Sequence, residues 1–169
     1  SRFCVPFLQN TGLALFMDPD MLVLDDIANV FALADPKYAV MVVKHNYEPT
    51  IDIKMDGQKQ TTYARKNWSS FVLWNLDHPS NKRLTKEALN TWPGIALHQF
   101  RWLDDDESGE LPVEWNWLDG VYDPKPAVEL SNVHFTEGGP WFDNWSGSPY
   151  DPLWVSERNI MNASRRKVA

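Results

Sequence analysis

Along the first half of the chain, short apolar runs alternate with polar segments rich in turn residues. "SRFCVPFLQNTG" reads as a short helix closed by Asn10 and Gly12. Leu13 to Met17 is apolar on both faces and bounded by turn chemistry, the pattern of a buried strand in a parallel sheet. "LDDIANVFALAD" opens on a capping aspartate and places Ile27, Val30, Phe31 and Leu33 at helical spacing, and "YAVMVV" is a second β-rich run. Strand, helix and strand in this order predict a right-handed crossover unit of an α/β sheet.

From His45 to Lys66 the chain is polar and broken, which predicts a long excursion over one face, of the kind that serves as an acceptor loop or lid. "SSFVLWN" returns as a strand, "TKEALNTW" as a helical turn or two ending before Pro93, and "GIALHQFRWL" as a short helix or strand. "DDDESGE" reads as a solvated acidic loop. The rest, rich in Pro, Gly and Trp, reads as irregular. No repeat and no boundary divides residues 1–169, so the expectation is a single domain.

Composition narrows the function classes. The 169 residues are 43% hydrophobic and 23% charged, a globular composition with enough apolar material for a sizeable core. A net charge of -7 argues against broad binding to nucleic acid or to an anionic membrane, and the basic "SRRKVA" at the end reads as a frayed tail. One cysteine, Cys4, excludes an internal disulfide and suits a reducing, cytoplasmic setting. No apolar run approaches the ~18 residues of a membrane span, and no signal-peptide pattern is present. Sequons at Asn67, Asn144 and Asn162 are read as chance. Nine tryptophans stand out, since the indole face fills cores but also stacks on sugar rings.

The candidate chemistry begins where Asp18-Pro19-Asp20 interrupts the apolar pattern. In an extended backbone, residues two apart share a side, and Pro19 biases Asp18 toward extension, so two carboxylates converge at the end of a strand. At ~4–5 Å and an effective dielectric near 20 they repel by about 3–4 kcal/mol, which calls for a partner. A divalent cation with oxygen ligands, Mn²⁺, Mg²⁺ or Ca²⁺, is the natural one. Ligands of open α/β sheets sit beyond the carboxyl ends of strands, where such a pair is suited to clamping a diphosphate. The plainer alternative is that Asp20 caps a turn and Asp18 stays half exposed.

A second constellation is "VHFTEGGPW". Val133-His134-Phe135 is strand-like and runs into Gly138-Gly139-Pro140, where missing side chains let backbone amides approach an anion. His134 offers an imidazole nitrogen to the same metal; the alternative is a hydrogen-bonded structural histidine beside an ordinary turn.

Together, and in this order, these pieces resemble the family 8 glycosyltransferases. "LFMDPDMLVLDDI" repeats the layout of that family's Asp-x-Asp strand and following helix start, and "HFTEGGPW" is similar to its closing His-x-x-Gly-x-x-Lys-Pro-Trp motif. "RKNWSSFVLWN" and "LPVEWNWL" resemble two further family segments between them, so the likeness spans nearly the whole chain. The resemblance implies a GT-A-like, Rossmann-like mixed α/β sheet flanked by helices, with the family's first nucleotide-binding strands expected before Ser1.

The resemblance also implies Asp18, Asp20 and His134 as Mn²⁺ or Mg²⁺ ligands and Gly138 and Gly139 beside the donor pyrophosphate, with Trp141 in the matched motif. It implies that Arg2 reaches the donor and that Asn67 and Glu87 lie near the transferred sugar. The family's lysine before Pro-Trp is replaced by Gly139, which leaves Lys44, Arg65 or Lys66 to supply that charge. The implied activity is metal-dependent sugar transfer from a nucleotide diphosphate donor, a UDP-sugar, to an acceptor hydroxyl with retention. Trp68, Trp115, Trp117 and Trp141 are candidate sugar floors, core packing being favoured for Trp115 and Trp117, and His45 is expected to be structural. A carbohydrate-binding or scaffold protein of the same fold is the main alternative, and hydrolysis of a phosphoester or nucleotide-sugar a third.

Overall fold

A computed structural model of the chain describes residues 2–46 and 65–166. A 3₁₀ turn at Arg2–Cys4 leads into helix α1 (Val5–Leu8), which ends before Gly12 at a φ of 83°, a left-handed turn that favours glycine. Strands β1 (Leu13–Met17) and β2 (Met21–Val23) follow, then α2 (Ala28–Ala32), β3 (Val40–Val42) and β4 (Phe71–Asn75). The remaining elements are α3 (Lys86–Thr91), α4 (Gly94–His98), β5 (Ser108–Glu110), β6 (Trp117–Leu118), β7 (Asn132–His134) and α5 (Asp151–Arg166).

The strands form two mixed sheets. One runs β1-β4-β3-β5, antiparallel except for the parallel β3–β5 pair; the other runs β2-β7-β6, with β2 antiparallel and β6 parallel to β7. β1 and β3 thus share a sheet and run parallel to each other, but the buried parallel-sheet strand expected of β1 is corrected. β4 inserts antiparallel between them, β2 leaves for the second sheet, and β1 is only partly buried. The continuous apolar runs of β3 and β4 are explained by burial on both faces. Val40, Val42, Val72 and Trp74 face one core with Phe3, Leu97, Phe100 and Trp102. Met41, Phe71 and Leu73 face the other with Val30, Leu111 and Trp115. A third cluster joins Leu22, Val133 and Phe135 to Leu153 and Trp154 of α5.

Three local expectations change. α2 buries Val30, while Ile27 and Leu33 stay exposed, because one short turn of helix presents a narrow face. The acidic run is not wholly solvated: Asp104 and Glu107 cap a 3₁₀ turn and pair with Arg83, and Ser108 to Glu110 becomes β5. The tail expected to be irregular contains the 16-residue α5, whose Asp151 accepts from the Trp145 indole and the Ser148 amide at its start. No helix among the described residues is long and apolar enough to cross a membrane.

Gly109 shows how tightly β5 is seated. A Cβ there would lie 2.4 Å from the Tyr38 ring and 2.9 Å from Met41 Cγ. Gly109→Ala is expected to destabilise the fold by about 1–3 kcal/mol in a urea titration through overpacking.

Candidate functional site

The site forms where the two sheets meet. Asp18 leaves β1 with its amide donating to Ser70 O (2.9 Å), and Asp20 enters β2 with its carbonyl accepting from Phe135 N (2.9 Å). The β2–β7 register sets Met21 opposite His134, so Asp20 arrives beside the imidazole. Pro19 and Asp20 form a turn rather than a continued strand. The carboxylates thus converge through a turn joining two sheets, a correction to the extended-chain geometry. One ligand atom from each of Asp18, Asp20 and His134 lies within 4.8 Å of the others, and His134 Nε2 stands 3.4 Å from Asp20 Oδ1.

Beside this trio opens a cleft of about 330 Å³, lined by Arg2, Asp18, Pro19, Asp20, Phe135, Thr136, Glu137, Gly138, Trp141 and Phe142. Arg2 pairs with Asp18 at 2.7 Å, donates to Ser69 O at 2.9 Å and lies over the Phe16 ring. Ser69 in turn contacts His98 Nδ1 at 2.6 Å, so α4 braces the arginine's anchor. Burial raises the Asp18 carboxyl above its usual range, and the nearby Asp20 charge adds to this, while Arg2 and His134 oppose it. A half-buried acid beside a second carboxylate in a cleft makes this the candidate functional site.

The glycines of the second motif divide their roles. Gly138 lines the cleft at a φ of 133°, with its amide donating to Phe135 O. Gly139 is not a lining residue; a Cβ on it would sit 2.3 Å from the Trp141 ring, so its bareness seats the indole. Trp141 is 38% exposed on the cleft wall and packs edge-on against Phe135. Trp115 and Trp117 are core, and Trp68 is half buried with its indole N–H on His45 O.

Other sequence candidates lie elsewhere. Glu87 is exposed in the first turn of α3 and is not among the cleft-lining residues, so the structure does not bring it to the carboxylate pair. Asn67 sits at a φ of 62° at the head of the turn entering β4, next to the serines that hold Arg2 and Asp18, but does not line the cleft. Lys44 donates to Ser108 O, Arg65 pairs with Asp105, and Lys66 does not line the cleft; among the described residues the cation on the cleft wall is Arg2. Of the 45–66 excursion, residues 47–64 lie outside the described residues, as do 167–169 of the basic tail, whose first residues extend α5.

Sequence reasoning missed Glu137 as a lining acid and, behind His134, a buried polar chain. Asn116, fully buried, contacts His134 Nδ1 through Oδ1 (3.0 Å) and, through Nδ2, His45 Nε2 and Ser70 Oγ (both 2.9 Å). His45 Nδ1 meets Tyr122 Oη at 2.7 Å. Burial first, and His134 second, push the His45 imidazole down to about 3. The available signal was an asparagine set between two tryptophans in "VEWNWL".

Comparison with known proteins places the fold. The chain is 46% identical over 173 residues to Protein CDI of Arabidopsis thaliana, covering all of this chain and 67% of that protein. Two crystal structures of the glycosyltransferase GlyE of Streptococcus pneumoniae TIGR4 superpose with a TM-score of 0.58. One is 14% identical over 92% of this chain, and the other, an apo form, 13% over 99%. The chain spans under half the length of those structures, 42% and 45%. No family model matches. The fold is a mixed α/β fold of the glycosyltransferase GT-A-like kind.

Proposed function

We propose that this chain, which belongs to the family of Protein CDI of Arabidopsis thaliana, transfers a sugar from a nucleotide diphosphate donor, a UDP-sugar, to an acceptor hydroxyl, in the manner of family 8 glycosyltransferases. The observation that carries the proposal is the meeting of Asp18, Asp20 and His134 at one point on the edge of a cleft. Two carboxylates and one imidazole fit a hard divalent cation, Mn²⁺ or Mg²⁺, better than a thiolate-preferring metal. Bound there, the cation supplies positive charge to the diphosphate as it leaves.

Charge supports a cation-dependent donor site. Among the described residues the cleft wall carries three carboxylates, Asp18, Asp20 and Glu137, against one guanidinium, Arg2, and this acidic excess by itself repels a diphosphate. Arg2 adds a fixed donor next to the cation ligands, and Gly138 keeps the wall bare for close approach. Trp141 offers a flat apolar face at the rim for a sugar ring. Glu137, on the wall where Glu87 is not, is the acid within reach of bound sugar, and Asn67 acts through the turn that supports Arg2. A cytoplasmic location belongs to the same proposal.

Mn²⁺ titrated into the full-length protein by calorimetry, with and without UDP, is the test, followed by product analysis with a set of UDP-sugars. Mn²⁺ and UDP are expected to tighten each other's binding by about tenfold or more, a coupling of ~1.4 kcal/mol, with glycoside as product. Free sugar alone would assign hydrolysis, and sugar binding indifferent to Mn²⁺ would assign the carbohydrate-binding alternative.

A further inference from the structure

We infer that Asn116 is a positioning residue that holds His134 in the Nδ1–H tautomer, turning the Nε2 lone pair toward Asp18 and Asp20. The directions of the buried hydrogen bonds carry this. Ser70 Oγ donates to Asn67 O (2.6 Å), so it can only accept from Asn116, which identifies the amide atom facing it as Nδ2. The same Nδ2 donates to His45 Nε2, making that nitrogen an acceptor and leaving the His45 proton on Nδ1, where it is donated to Tyr122 Oη. The Asn116 oxygen is thereby left facing His134 Nδ1, which must carry the proton. With Nδ1 committed, Nε2 is the basic nitrogen, and it is the one 3.4 Å from Asp20.

Asn116 is held from both sides by its backbone as well. It follows Trp115 in the turn that feeds β6, and β6 runs parallel to β7 with Leu118 opposite His134. His45 and Tyr122 extend the chain of bonds away from the cleft and do not line it, so the hydrogen-bond route from them to the trio passes through Asn116. A partner that fixes the far nitrogen of a metal-binding histidine typically changes metal affinity by about 10–100-fold. The inference rests on the proposed cation site, and its first readout needs no metal.

The tautomer of His134 is read by two-bond ¹H–¹⁵N correlation in mildly alkaline, metal-free buffer, and Mn²⁺ affinity by calorimetry. The wild type is expected in the Nδ1–H form. Asn116→Leu is expected to shift His134 toward Nε2–H and to weaken Mn²⁺ binding by about 10–100-fold. His45→Gln, which retains an acceptor for the Asn116 amide, is expected to match the wild type in both. If Asn116→Leu does not fold, His45→Leu serves, with a partial tautomer shift and a smaller loss of affinity expected.

An Nε2–H wild type, or an Asn116→Leu variant (His45→Leu where that does not fold) that moves neither readout, overturns the inference. The two proposals fail differently. Mn²⁺ bound tightly, and lost in Asp20→Ala, by a protein whose His134 is Nε2–H removes the positioning role alone. An Nδ1–H protein that binds no Mn²⁺ removes the cation site and this role with it.

Discussion

Asp20→Ala is expected to lower metal-dependent sugar transfer by about a thousand-fold while leaving the metal-free fold as stable as the wild type or more so. The first half follows from charge. Of the three candidate ligands, Asp20 is not held by the Arg2 pair that engages Asp18, and its Oδ1 stands 3.4 Å from His134 Nε2, so its loss opens the trio. Removing one preorganised group aimed at developing charge costs about 10²–10³ in rate, and losing a Lewis acid removes several kcal/mol of such stabilisation. The second half follows from the same proximity. Carboxylate oxygens within 4.8 Å repel by about 3–4 kcal/mol at an effective dielectric near 20, a figure that Arg2 and solvent reduce. Alanine at 20 removes that repulsion and leaves the Asp18–Arg2 pair intact. Thermal unfolding without metal, set beside turnover with Mn²⁺, separates the two effects. A variant that loses activity and stability together would make Asp20 a structural residue.

How much of this was legible in the sequence depends on the kind of information each feature needs. The apolar runs that become β1, β3 and β4 announce themselves, because local composition suffices to mark a strand that is buried. Their pairing does not, since nothing in "LALFM" or "YAVMVV" specifies that a strand nearly thirty residues later will insert between them. The 16-residue α5 was hidden by the Pro and Gly turns before it and by a weak apolar stripe in which only the first turns, Leu153 and Trp154, find a core.

The carboxylate pair was readable as chemistry out of place, and His134 as a partner through family resemblance, but the turn that makes them converge belongs to the meeting of two sheets. The roles of Gly138 and Gly139 separated only when Trp141 could be seen lying on the second. Asn116 stayed silent for a different reason. A buried amide earns its role from three partners at sequence distances of 18, 46 and 71, and no local pattern encodes them.

His45 carries the second large expectation, a loss of stability in mild acid. The residue is 6% exposed, its Nε2 accepts from the Asn116 amide, and its imidazole is pushed down to about 3 by burial and by His134. In the unfolded chain the same group titrates near 6.5, so the unfolded state binds the proton first as pH falls. The stabilisation from a neutral His45 is complete above that value and is lost progressively toward pH 3. By about pH 5 the loss is ~2 kcal/mol, a large part of an ordinary folding free energy.

Other groups titrate in the same range with either sign. His98 is also lowered by burial and adds to the loss, whereas Asp18 and Asp119 are raised by burial and stabilise the fold as they protonate. The wild-type curve alone therefore mixes terms, and His45→Gln isolates one of them. Glutamine keeps the acceptor for Asn116 and cannot take a proton. The stability difference between wild type and variant, from urea midpoints at about pH 7.5 and about pH 5, is expected to move by ~2 kcal/mol in the variant's favour on acidification. A difference that stays constant over that interval would show that His45 protonates in the folded protein without cost, and the buried chain from Tyr122 to His134 would then not be the rigid, neutral relay its hydrogen bonds describe.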